Sequence, residues 1–70
     1  MNNIEALAEI EKLKNGDIWI WPESDYGRAE IVYVDGSYRI YEIPIYGGVP
    51  SFAYMVDTPQ KVVDIVGKWT

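Results

Sequence analysis

An Asp35-Gly36 pair sits between two runs of alternating β-branched, aromatic and polar residues. This pattern narrows the fold more than any other in the chain. Asp-Gly is a two-residue hairpin turn, because both central positions of a type I′ turn need positive φ. A turn of that length fixes the pairing. Tyr33 faces Tyr38, Val32 faces Arg39 and Ile31 faces Ile40, and directly opposed residues share one side of the sheet. One side then collects Ala29, Ile31, Tyr33, Tyr38 and Ile40, with Glu42 at its edge. The other collects Arg28, Glu30, Val32, Val34, Arg39, Tyr41 and Ile43. The first is expected to be the core face.

The flanking segments extend this hairpin in both directions. Asp17-Ile18-Trp19-Ile20-Trp21 is rich in β-branched and aromatic residues and stops at Pro22, which reads as a further strand. Residues 22–27 concentrate turn formers and form a loop. A second loop holds Tyr46-Gly47-Gly48-Val49-Pro50. Residues 51–56 alternate Phe52, Tyr54 and Val56 against Ala53 and Met55, which suits a fourth strand.

Helices are expected at both ends. Asn2 is placed to cap the first, with Glu5 three residues on. Ile4, Leu7, Ala8 and Ile10 make its apolar stripe, Leu13 extends the edge, and Asn15-Gly16 ends it. Thr58-Pro59 opens the second helix as N-cap and first helical residue, and Val62, Ile65, Val66 and Trp69 form its buried stripe. Helix, four strands, helix is an α+β order. The expectation is one small domain over residues 1–70: two layers, an N-terminal helix, a mainly antiparallel four-stranded sheet and a C-terminal helix. With both helices on the core face, the other sheet face is left open or covered by another chain.

The first strand has two parities. If Ile18 and Ile20 join the core, every isoleucine between residues 18 and 40 lies on one side, and Trp19 and Trp21 point outward. A one-residue slip reverses this. The isoleucine-inward register is the one expected here. It assembles an outer patch of Trp19, Trp21, Arg28, Arg39, Tyr41 and Ile43, residue types common at interface hot spots.

The chain offers little for catalysis. It contains no Cys and no His, which removes thiolate chemistry and the commonest general base and metal ligand. Ser24, Ser37 and Ser51 have no such base and read as turn or strand-start residues. Glu23 and Asp25 share a loop but lack the spacing of a calcium site. Gly47-Gly48 is followed by Val49-Pro50 rather than Lys-Ser/Thr and a helix, so it is no phosphate loop. Neither an enzyme nor a cofactor is expected.

Charge is uneven. Residues 16–59 hold seven acids and two bases, which accounts for the chain's formal net charge of −5. That balance opposes direct contact with a nucleic-acid backbone, which needs Lys and Arg. It suits a basic protein surface, toward which Glu23, Asp25, Asp35, Glu42 and Asp57 would steer the chain. No apolar run is long enough to span a bilayer and no signal peptide is evident, so a cytoplasmic protein is expected.

The leading expectation is therefore a small acidic, non-enzymatic interaction protein, an inhibitor or adaptor that docks on a basic partner. Phage counter-defence proteins, some of which imitate nucleic acid with spaced carboxylates, share this size and charge and nothing more specific. The alternative is a binding or sequestering protein for a nucleotide or other small ligand, acting as a homo-oligomer.

Overall fold

A computed structural model describes residues 1–23 and 25–69, so Ser24 lies outside the described residues. The order is α1 (Asn3–Glu11), β1 (Ile18–Trp21), β2 (Ala29–Val34), β3 (Ser37–Glu42), β4 (Ser51–Val56) and α2 (Pro59–Val66). The strands form one antiparallel sheet in sequential order, with β1 and β4 at its edges. Both helices contribute to a single core on one sheet face, giving the two-layer α+β arrangement.

Local chemistry sets the element ends. The Asn2 side chain accepts from the Glu5 amide at 2.9 Å, and the Thr58 hydroxyl accepts from the Lys61 amide at 3.2 Å. Each cap satisfies a first-turn N–H that has no partner inside its helix. At the hairpin, Asp35 and Gly36 have φ of 52° and 79°. Tyr33 pairs with Tyr38, Val32 with Arg39 and Ile31 with Ile40, the register that a two-residue turn dictates.

Three expectations need correction. The largest is the parity of β1. Ile18 pairs with Val32, Trp19 with Ile31, Ile20 with Glu30 and Trp21 with Ala29. Trp19 and Trp21 therefore face the helices and the two isoleucines face away. Trp21 is wholly buried, while Ile18 and Ile20 keep 59% and 43% of their surface exposed.

Two hydrogen bonds before the strand set this register. The Gly16 amide donates to the Tyr33 carbonyl at 2.7 Å, and the Tyr33 amide donates to the Asp17 carbonyl at 3.1 Å. The energetics agree, because an indole removes more apolar area from water than an isoleucine does. Its one polar atom is also satisfied: Trp21 Nε1 donates to Glu23 Oε1 at 3.4 Å.

The second correction concerns α1. It ends at Glu11, and Gly16, at φ 91°, serves the turn into β1 instead of capping the helix. Its buried residues are Ala6 and Ile10, with Leu7 and Leu13 packed beside them, whereas Ile4 is 81% exposed. Ala6, Ile10 and Leu13 follow an i, i+4, i+7 spacing that starts one turn-face away from Ile4. The third lies in β4. Its alternation breaks at a bulge between the Ile40 and Tyr41 pairings. Phe52 pairs with Tyr41 and Met55 with Arg39, so both lie on the face opposite the helices. The extra residue turns Phe52 to the other side from Tyr54.

Candidate functional site

The face of the sheet opposite the helices is the candidate site. β1 supplies Ile18 and Ile20, β2 supplies Glu30, Val32 and Val34, β3 supplies Arg39 and Tyr41, and β4 supplies Phe52 and Met55. No described helix covers it. Phe52 and Met55 are 59% and 60% exposed, and Val32, Val34 and Tyr41 are half-buried. The Tyr41 and Phe52 rings meet edge-on, 5.7 Å apart at 73°, a favoured arrangement that stiffens this side of the face. Among the described residues Glu30 and Arg39 are its only charges, and neither enters an ion pair.

Three members of the aromatic patch expected from the sequence lie on this side of the sheet, Arg39 and Tyr41 on β3 and Ile43 just beyond it, beside Ile20. Trp19 and Trp21 lie together on the helix side, their rings 5.8 Å apart. Arg28 is on that side too. Its guanidinium stands 5.7 Å from the Trp21 ring, donates to the Val66 carbonyl at 3.2 Å and pairs with Glu23 at 3.4 Å. Such an arginine ties the end of α2 to the β1–β2 loop. Ile43 is buried outside the main core, near Ile20 and Gly27.

No family model, curated protein or solved structure matches the chain.

The five acids expected to steer a partner fall into two groups. Glu23, Asp25 and Glu42 lie where β1 ends, β2 begins and β3 ends. Asp35 and Asp57 lie at the opposite end, in the hairpin turn and after β4. Two of the five are engaged. Glu23 meets Arg28, Trp21 Nε1 and the amino terminus, the last at 3.7 Å. Asp57 accepts from Lys61 Nζ at 2.9 Å, and that hydrogen bond and charge hold its carboxyl below the ordinary 3.8. Asp25, Asp35 and Glu42 are exposed and form no ion pair among the described residues.

A cleft of about 190 Å³ opens between the sheet and the C-terminal segment, lined by Glu23, Gly27, Arg28, Glu42, Ile43, Ile45 and Trp69. Two carboxylates beside one already-paired arginine repel a phosphate group, so this cleft does not favour a nucleotide. Among the described residues, no three His, Cys, Asp or Glu side chains come together in a metal-binding group. No described helix is long and apolar enough to cross a membrane.

The sequence reading missed Ile18, Ile20, Phe52 and Met55 as members of the site. Glu23, two residues beyond Trp21, was a readable signal: it offers an acceptor that lets the indole be buried. The bulge that turns Phe52 had no such signal.

Proposed function

We propose that this chain is a small, acidic, non-enzymatic protein-interaction module, an inhibitor or adaptor that docks on a basic partner. The observation that carries the reading is the uncovered sheet face. A contiguous apolar surface on so small a chain normally marks a protein contact. The acids at the two ends of the sheet add selectivity, since Asp25, Asp35 and Glu42 present carboxylates that a basic surface would neutralise. Glu23 and Asp57, already paired within the chain, contribute less.

The test is capture with the chain as bait, followed by a salt titration of the captured complex. Binding is expected to weaken steeply between 50 and 500 mM salt, because surface charges more than about 10 Å apart are screened at 0.1 M. An Asp25→Asn/Asp35→Asn/Glu42→Gln variant should bind at least about tenfold more weakly, given the size of steering effects at charged interfaces. A complex indifferent to both salt and this variant would remove the basic-partner reading.

A further inference from the structure

We propose that the open sheet face is covered by a second copy of this chain, in a two-fold symmetric dimer. The inference rests on reading that face as a protein-docking surface; it gives the face to a second copy and leaves a basic partner to the acids at the two ends of the sheet. The first argument is charge. The chain carries −5, so two copies repel unless they meet where local charge cancels. The open face is such a place, holding one acid, Glu30, and one base, Arg39. Glu30 pairs with Tyr41, and Arg39 with Val32, two residues along β2 from Glu30. The two opposite charges are thus diagonal neighbours across β2 and β3, and they form no ion pair with each other.

A two-fold axis bisecting this diagonal sets Glu30 of each copy against Arg39 of the other. The contact is self-complementary in the way a two-fold interface requires. The side chains around it are apolar: Ile18, Ile20, Val32, Tyr41, Phe52 and Met55. Asp25 and Asp35 lie in the turns between strands and Glu42 ends β3 opposite Ala29, so all three stay available to a basic partner.

The second argument is area. Four strands about 4.8 Å apart and six residues of about 3.3 Å give a footprint of roughly 400 Å² per copy before side-chain relief is counted. Specific interfaces bury about 800 Å² per partner. This face supplies about half of that before side-chain relief, so a weak dimer that forms at high protein concentration is expected. A chain of 70 residues also has a limited core of its own, and association is a common supplement to such cores.

Sedimentation equilibrium from 5 µM to 1 mM tests the inference on four variants, with circular dichroism confirming that each is folded. Wild type is expected to dimerise, and more tightly at 300 mM than at 30 mM salt, because salt screens the repulsion between two acidic copies. Arg39→Glu and Glu30→Arg should each weaken the dimer about tenfold or more, by setting like charges against each other. The double exchange should return the affinity to within about threefold of wild type. Glu30→Arg separates the local pair from global charge, since it lowers the net charge from −5 to −3 and should still weaken the dimer. Ile18→Asp, at an exposed position, should also give a monomer.

Wild type remaining monomeric at 1 mM would overturn the second-copy inference. If Ile18→Asp then still abolished docking of a captured partner, the function reading would survive without it. A dimer unchanged by Arg39→Glu and Ile18→Asp uses another surface and would also overturn it.

Discussion

At the residue scale, Trp21 accounts for more of the structure than any other side chain. It is wholly buried in the core, gives its indole N–H to Glu23 and lies beneath the Arg28 guanidinium. Trp21→Ala is expected to cost about 3–5 kcal/mol, the range for large aromatic deletions in a core. Ile18→Ala, on the open face, should change monomer stability by no more than about 0.5 kcal/mol. Chemical denaturation of the two variants below the dimer concentration checks the contrast, and a reversal of the order would contradict the β1 register. Tyr38 supplies a pH signature. Its burial, with Tyr33 and Glu11 nearby, pushes the phenol above its ordinary 10.0. A raised folded-state value means the protonated form is favoured in the fold. This contribution is complete below pH 10 and is lost as pH rises through the folded value. Thermal melts between pH 8 and 11.5 should show stability falling above about pH 10, together with phenolate absorbance. Replacing Tyr38 by Phe should lessen that fall.

At the element scale, turns and caps decide where each piece begins. Gly27 has φ 92°, and a Cβ there would collide with the Ile20 side chain. Gly27→Ala combines left-handed strain with that collision. It should destabilise by at least about 1–2 kcal/mol in a denaturant melt. Thr58→Ala, which removes the α2 cap, should cost about 1 kcal/mol. These elements also show what was legible. The Asp35-Gly36 hairpin, both N-caps and the fourth strand could be read because each has a short-range chemical signal: positive φ, a side-chain acceptor, or alternation. The parity of β1 could not. Isoleucine and tryptophan both suit a buried strand position, and the choice depends on the Gly16 and Asp17 bonds to Tyr33, made across 16 residues or more of chain. The α1 stripe was misjudged for a related reason. Ile4 is the larger residue, but Ala6 is the one buried in the core shared with α2. The bulge in β4 is likewise set by pairing with β3 and has no local residue signature.

For the whole molecule, one sheet face is filled by two helices and the other carries an apolar surface with a single pair of opposite charges. The error in β1 parity therefore changed the membership of the open face without closing it. Two isoleucines replaced two tryptophans there, and Arg39, Tyr41 and the buried Ile43 remained on that side. The association inferred from this face makes thermal stability depend on concentration, so the midpoint should rise between 10 µM and 1 mM for wild type and not for Arg39→Glu. All of this depends on which side chains of β1 meet the helices. Cross-strand nuclear Overhauser contacts in the folded protein measure it most directly. The structure predicts backbone contacts from Trp19 to Ile31 and from Trp21 to Ala29, with the Trp21 indole near core methyl groups. Contacts that set Ile18 and Ile20 beside Ala29 and Ile31, with both indoles in solvent, would contradict it.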